Sequence, residues 1–550
     1  MPCSAEVALS VVVFILDDMR ADQLSELPLT GARLADHAVL FDRAYVTTPM
    51  CCPERASFLS GGWLPMHTGV ITNDAPRGGA TVFLDDDTLP TRLLDGGYAT
   101  ALHGKYLNEY AELGLYVPPG WSDFAAVEEG DPWNDATLTA GSSTATAAGE
   151  GTEVLAEGYY ADWMAERAQA FIGAHPDDPL FLYSSFRAPH DPYEPEPEDV
   201  GGHANFFWRG GAWQEEDVSD KPAWVQRLPV LGKARVAELD AVHQAMQDSL
   251  ASVDRAIVSI LDSLDAAGRL DSTVVVVTSD DGQQWLEHRI TQKGVAYEES
   301  VRVPLVVWHP SLRAHHTEAM VATNLDLAAT VLDLAGMPAT GNGQSLRPVL
   351  CEERDTHREL VPLQAWPSRF PTWAGVVTPQ WKYVETGTGE KELYDLRLDP
   401  FEEQSVVAEN PDIAAALAAE VEATRGLAVI TGDLAGGEAG ATWSADLQAW
   451  GGEGAYRWSL VGGVLPIGLT LGGDGTLSGA LPADGEDLDF TVEVVDESVS
   501  PVHGGPQRDR RRWVVPVSGG CGCEGDAAGA GGVLMAVALW RGRRGVRKSG

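Results

Sequence analysis

Residues 51–61 read Cys-Cys-Pro-Glu-Arg-Ala-Ser-Phe-Leu-Ser-Gly, and Cys51, Pro53 and Arg55 form Cys-x-Pro-x-Arg. A proline that presets a helical φ beside a cysteine places the sulfur at a helix start. Exposed N–H groups and the positive end of the dipole favour an anion there. By itself the pattern equally suits an ordinary helix start with a buried cysteine, the usual fate of a free thiol. Two carboxylate pairs, Asp17-Asp18 and Asp280-Asp281, offer the oxygen ligands a hard divalent cation takes. Alone, such a pair also suits a solvated loop or a helix N-cap. Four carboxylates around one divalent ion leave a site negative, so an anionic substrate needs nearby cations. Arg55, Lys105 and Lys293 are the candidates, although a lysine is a surface residue by default. His190, in Pro189-His190-Asp191-Pro192, adds a group able to protonate a leaving oxygen.

The elements that must position these residues are legible from hydrophobic pattern. Val11–Leu16, Leu180–Tyr183, Val274–Val277 and Val303–Trp308 are short apolar runs. Such runs suit strands buried on both faces of a mainly parallel sheet. Between them, Ser252–Leu264 places Val253, Ile257, Ile260, Leu261 and Leu264 at helical spacing. Tyr159–Ile172 and Asn324–Ala335 behave alike. Strands alternating with helices predict an α/β domain, its sheet sandwiched by helices. Ligands in such sheets bind beyond the strand C-terminal ends. Asp17, His190 and Asp280 each follow a predicted strand, so distant segments are expected to converge on one pocket.

Composition limits the partners. The chain has 550 residues and a formal net charge of −43, which argues against nucleic acid or an anionic membrane bound through a broad surface. Its six cysteines do not form the two spaced pairs of a zinc site. No secretory signal is visible before the first strand.

Several segments, in order, resemble the type I sulfatases of the alkaline phosphatase superfamily. They are Asp17-Asp18, Cys51-to-Ser57, Gly104-Lys105-Tyr-Leu-Asn108, Pro189-His190-Asp-Pro192, Thr278-Ser-Asp-Asp-Gly282, Glu287-His288-Arg289 and Lys293-to-Pro304. The resemblance covers roughly residues 9–425. Within the family it is nearest to N-acetylglucosamine-6-sulfatases and bacterial polysaccharide sulfatases. It implies that Cys51 is oxidised to formylglycine by a formylglycine-generating enzyme and that the aldehyde hydrate attacks sulfur. It implies Ca2+, with Mg2+ the alternative, held by Asp17, Asp18, Cys51, Asp280 and Asp281. Arg55, Lys105, His190 and Lys293 become catalytic residues, with Asn108 and His288 substrate contacts. The implied substrate is a sulfated carbohydrate or another sulfate ester. Three positions depart from the pattern. Asp281 stands where Asn is usual, Leu286 where Gly is common, and Glu54 where Ser is usual. An acidic side chain at 54 is expected to raise the cost of binding an anion. Two other readings stay open: a phosphodiester or phosphonate ester hydrolase of the same superfamily, and an inactive glycan-binding surface protein.

The expected organisation is a sulfatase domain over 9–425, with a C-terminal subdomain from about 340, and a linker over 426–445. An all-β module over 446–517 resembles Ig-like modules of bacterial surface proteins, through Tyr456-Arg-Trp-Ser-Leu and Pro466-Ile-Gly-Leu-Thr-Leu. Residues 518–550 run Cys521-Gly-Cys523, apolar, then basic. They resemble myxobacterial C-terminal sorting segments, which implies membrane attachment and an exported protein. The missing signal then predicts that the true start lies upstream.

Overall fold

The computed structural model describes residues 9–127, 133–317, 320–431, 434–452, 456–496 and 507–518. Ser10–Leu16 lies in the middle of a ten-stranded sheet, with Leu180–Phe186 and Thr273–Ser279 as its parallel neighbours. Ala99–Gly104 and then Asp123–Val127 continue the parallel run beyond Leu180–Phe186. Antiparallel pairs flank this run, Leu305–Trp308 and Ala38–Leu40 on one side, Asn134–Gly141 and Thr152–Tyr159 on the other, and His315–His316 adds a parallel edge to Ala38–Leu40. The sheet is therefore mixed around a parallel centre.

Period-two alternation divides the central strand between two cores. Val11, Val13 and Ile15 pack with Ala56, Phe58 and Leu59 of the helix Cys51–Leu59 and with the helix Asn324–Leu334. Val12, Phe14 and Leu16 pack with the helices Tyr160–Ala174 and Lys233–Ala266. Helices thus cover both faces, which is why the strands read as unbroken apolar runs. Val253, Ile257, Ile260, Leu261 and Leu264 form the buried stripe of a helix that starts nineteen residues before Ser252, at Lys233. Each such side chain contributes about 1.5–3 kcal/mol on burial.

The register aligns the strand ends. Leu16 pairs with both Phe186 and Ser279, and Ser185 pairs with Gly104. The residues that follow, Asp17, Arg187, Asp280 and Lys105, leave the sheet along one edge. Between Ser279 and Leu305 the chain makes a long excursion that carries Asp280, Asp281, His288 and Lys293.

A four-stranded antiparallel sheet follows, ordered Val361–Ala365, Trp373–Val377, Trp381–Thr386, Lys391–Asp395. The helix Pro411–Thr424 lays Ala414 and Val421 on Val376, Tyr383 and Leu393. The stretch expected as a linker, 426–445, differs from that reading. Ala428–Val429 pairs with Ala449–Trp450, and Thr442–Asp446 pairs with Thr476–Ala480. Leu427 and Val429 lie in the same core as Trp458, Phe490 and Trp513. Its Gly and Ala richness reflects close backbone approach, as at Gly436, where an added Cβ would come within 2.3 Å of the Pro516 carbonyl oxygen. A second antiparallel sheet, Tyr456–Gly463, Leu488–Asp496 and Arg508–Val515, completes this β module. The bidentate Arg77–Asp509 pair, 2.7 and 2.9 Å, ties it to the larger domain. Among the described residues no helix is long and apolar enough to cross a membrane. The Cys521-to-Lys548 segment lies outside the described residues.

Candidate active site

Cys51 opens the helix Cys51–Leu59, with Met50 extended before it. The Cys52 N–H donates to Asn73 Oδ1 (3.0 Å), which satisfies one of the helix's orphan donors. Lys293 Nζ lies 2.8 Å from Cys51 Sγ, and Asp17 Oδ1 lies 3.5 Å from it. One turn along, Arg55 is fully buried, with Nε donating to Asp280 Oδ2 (2.8 Å) and Nη1 to the Lys105 carbonyl (3.0 Å). Its Nη2 has no hydrogen-bond partner among the described residues and stands 3.8 Å from Asp17 Oδ1. Lys105 Nζ pairs with Asp17 Oδ2, and Lys293 Nζ pairs with Asp18 Oδ1. Lys293 Nζ is also 3.1 Å from Asp281 Oδ1.

The acidic pairs and Lys105 come from three strand ends, Cys51 and Arg55 from one helix start, and Lys293 from the excursion after Ser279. The common register explains why segments more than two hundred positions apart meet. Asp18 adopts φ 68°, a left-handed turn that aspartate tolerates better than most side chains. It turns the chain immediately beyond the strand, and the Asp18 N–H donates to Asp280 Oδ1 (3.2 Å), joining the two acidic pairs.

The electrostatics divide the carboxylates. Burial works against ionised Asp17, but Lys105, His190, Arg55 and Lys293 overcome it and hold that group well below its ordinary range. Asp18 is lowered likewise, with burial opposed chiefly by Lys293. Burial wins at Asp280 and Asp281, which are both raised. Asp17 adds to the shift at Asp280, as Asp280 and Asp18 do at Asp281, while Arg55 and Lys293 oppose it. The Cys51 thiol is pushed up to about 11, mainly by burial, against Lys105 and Lys293. It is protonated at neutral pH and, unmodified, a poor nucleophile.

A divalent cation fits this donor set. Asp281 Oδ2 is buried without a hydrogen-bond partner, and Oδ1 meets the Lys293 ammonium as an ion pair, which leaves an oxygen free to hold an ion. Ligand atoms of Asp17, Asp18, Cys51 and His190 lie within 4.8 Å of one another, as do those of Cys51, Asp280 and Asp281. Carboxylate oxygens dominate both groups, which matches a hard cation rather than a soft one.

The structure thus brings together Asp17, Asp18, Cys51, Arg55, Lys105, Asp280, Asp281 and Lys293. It brings His190 to them as well, beside the predicted metal carboxylates. His190 Nδ1 donates to the Asp191 carbonyl (2.6 Å). Asn108 sits against the helix start, its N–H donating to Cys52 Sγ (3.1 Å).

His288, expected as a substrate contact, is placed elsewhere. It is 0% exposed, stacks on Tyr297 and bonds through Nδ1 to Glu215 Oε2 (2.7 Å). Burial and the Lys221 charge push its pKa down to about 3, so it is neutral. It joins a second carboxylate group with Glu299 and Glu402, not the Cys51 group. The expectation for Glu54 also changes. Its side chain is buried in a small cavity among Ile15, Phe58, Leu305, Leu327 and Asn324. Burial, aided by Asp280, raises its pKa well above the ordinary range, which favours the neutral acid and lessens its charge against an anion.

Sequence reasoning missed Asn73, whose Oδ1 caps the helix and whose Nδ2 approaches Cys51 Sγ at 4.0 Å. It also missed Ser185, whose Oγ accepts from Arg55. Neither carries a spacing signal. Asn73 was findable only as a capping-type residue, and its loop lies about twenty positions from the helix it caps.

Residues 10–337 match the family model described as Sulfatase, and residues 286–426 match one described as N-sulphoglucosamine sulphohydrolase, C-terminal. The chain is 28% identical over 385 residues to the extracellular sulfatase SULF-1 homolog of Drosophila melanogaster, covering 66% of this chain and 32% of that one. It is 28% identical over 359 residues to human N-acetylglucosamine-6-sulfatase, covering 62% and 64%. It spans about half the length, or less, of the extracellular sulfatase relatives it matches. A solved structure of a protein in complex with its substrate D-glucosamine-2-N,6-O-disulfate superposes with a TM-score of 0.63 at 22% identity, over 76% of this chain and 97% of that one.

Proposed function

Because the chain belongs to the sulfatase family, we propose that it hydrolyses sulfate esters on a carbohydrate, with residue 51 acting as formylglycine. The observation that carries this reading is the position of Cys51 Sγ. It lies at a helix N-terminus, 2.8 Å from Lys293 Nζ and 3.5 Å from Asp17 Oδ1.

Formylglycine would supply an aldehyde hydrate, an oxygen nucleophile that the buried thiol cannot match. A divalent cation, Ca2+ in our reading, would be held by Asp17, Asp18, Asp280, Asp281 and residue 51 and would polarise the sulfate oxygens. The remaining roles belong to the chain's side chains. Lys105 and Lys293 neutralise charge on the transferring group from fixed positions, so little reorganisation is needed as that charge develops. Arg55 holds Asp280 in place and directs its unpartnered Nη2 toward Asp17. Asp280 or Asp281 takes the nucleophile's proton. His190 protonates the departing alcohol. Asn108 contacts the substrate beside the helix start.

The relatives named for N-acetylglucosamine-6-sulfate, and the fold neighbour bound to a glucosamine disulfate, support an amino-sugar sulfate as substrate. The same reading makes the protein an exported one, matured by a formylglycine-generating enzyme. Its Ig-like β module and tail would serve spacing and attachment to the cell surface.

The test is a peptide mass measurement across residues 44–77, followed by rates on a panel of sulfated sugars, an aryl sulfate and an aryl phosphodiester. Conversion of Cys51 with sulfate release supports the reading. Fully converted protein that is inert on every sulfate ester, or faster on the phosphodiester, overturns it.

A further inference from the structure

His288 Nδ1 donates to Glu215, which leaves Nε2 as a buried ring nitrogen with no hydrogen-bond partner on a side chain 0% exposed. Its lone pair shares a space with Glu299 and Glu402, whose ligand atoms and its own all lie within 4.8 Å of one another. Glu299 Oε2 is also buried without a partner, and Glu299 makes no ion pair among the described residues. Glu402 turns one oxygen to Lys382 Nζ (2.8 Å) and accepts the Glu298 N–H on the other (2.7 Å). Lys382 is itself shared with Glu298 Oε1 at 2.8 Å, so the group has more carboxylate than cation.

The backbone here is held under strain. Leu286, His288 and Arg289 all adopt positive φ, at 80°, 50° and 66°. None is glycine, and each such residue costs about 1–2 kcal/mol. The Leu286 conformation explains why Gly suits that position. Such strain persists where surrounding interactions over-determine it, often at ligand clamps.

We propose that His288, Glu299 and Glu402 form a second divalent-metal site, distinct from the Cys51 group, that takes a borderline ion such as Zn2+. One imidazole and two carboxylates suit zinc better than calcium, which prefers an all-oxygen shell. A carboxylate accepting from the other ring nitrogen is the arrangement that orients metal-binding histidines, and Glu215 supplies it. Three atoms no more than 4.8 Å apart share a point within about 2.8 Å of each, and zinc takes N and O at about 2.0–2.2 Å, so shifts under an ångström would close the site. Glu215, which holds the His288 ring, also lines an acidic cleft of about 660 Å³ with Glu216, Asp217, Asp220 and Glu403. The ion would clamp the excursion bearing Lys293 onto the turn after the strand Lys391–Asp395.

The inference does not depend on sulfate hydrolysis. The full chain is stripped with a chelator and re-equilibrated with excess Ca2+. It is then titrated with Zn2+, and separately with Co2+, reading metal content per chain and the cobalt visible spectrum. One equivalent bound in the wild type and in Asp281→Asn, and lost in His288→Gln and Glu299→Gln, is the expected result. Glu215→Gln should weaken binding about 10–100-fold while leaving the ligands intact. Should His288→Gln fail to fold, Glu299→Gln and Glu215→Gln carry the test. No bound equivalent, or uptake unchanged in Glu299→Gln and Glu215→Gln, overturns the proposal.

Discussion

The excursion between Ser279 and Leu305 feeds two buried carboxylate groups, and they are balanced differently. At Cys51, Asp17, Asp18, Asp280 and Asp281 meet Arg55, Lys105 and Lys293, and two of the four carboxylates are held ionised. At His288, Lys382 is shared between Glu298 and Glu402, and burial raises Glu402 to about 7 and Glu299 to about 8. The first group sits at strand ends and presents its lysines to Cys51 Sγ. The second sits between the excursion and the smaller subdomain, and its lysine bonds inward to Glu298, Glu402 and the Ala296 carbonyl. Cations aimed at a reacting atom serve chemistry, whereas cations wholly consumed by buried carboxylates serve cohesion.

If that contrast is right, substitutions should separate activity from stability. Cys51→Ala should lower sulfate-ester turnover by at least about 10⁴-fold, because loss of a nucleophile is not compensated by the rest of the site. Its urea midpoint should barely move. A large stability loss with residual turnover would break the distinction. Lys293→Met should lower kcat by about 10²–10³-fold, the usual cost of one charge-stabilising donor. Steady-state kinetics on a sulfated sugar measures it.

The second group should give the opposite signature. Lys382→Met leaves Glu402 without its buried cation, and Glu298 with Arg302 alone, and should cost about 3–5 kcal/mol in urea unfolding. Turnover of the molecules that remain folded should be kept. Loss of kcat with unchanged stability would reverse the assignment.

The smallest effect concerns Glu54, which lies between these extremes as a buried acid with Asp280, Asp17, Arg55, Asn324 and Tyr45 around it. Its pKa is raised in the folded state, so the native protein binds the extra proton. The stability it contributes is complete below the unfolded carboxyl value, about 4.3, and is lost as pH rises above it. Glu54→Gln should flatten that part of the stability–pH curve. Equal slopes for the variant and wild type would mean that Glu54 is ionised in the fold.

Much of the first group is legible in the sequence. Asp17-Asp18 and Asp280-Asp281 end apolar runs, and a parallel sheet brings strand C-terminal ends together, so convergence followed from pattern alone. Cys51, Pro53 and Arg55 carried their own signature. The second group left no such trace. Glu215, His288, Glu299, Lys382 and Glu402 lie on loops and on a separate sheet, where no periodicity links one position to another. The family resemblance implies His288 as a substrate contact, yet the positive-φ turn at Leu286–Arg289 carries it into a different interior. The linker reading of 426–445 failed for a related reason, because Gly and Ala mark flexible chain and close strand approach alike.

The sequence by itself determined the α/β layering, the strand ends and the residues able to hold a cation and an anion, because burial and periodicity act locally along the chain. The tertiary structure alone decided that Glu54 turns into the core, that Asn73 caps the Cys51 helix and that His288 faces Glu299 and Glu402. Those outcomes depend on side-chain direction and on desolvation by distant segments, neither of which is encoded in the spacing of residues.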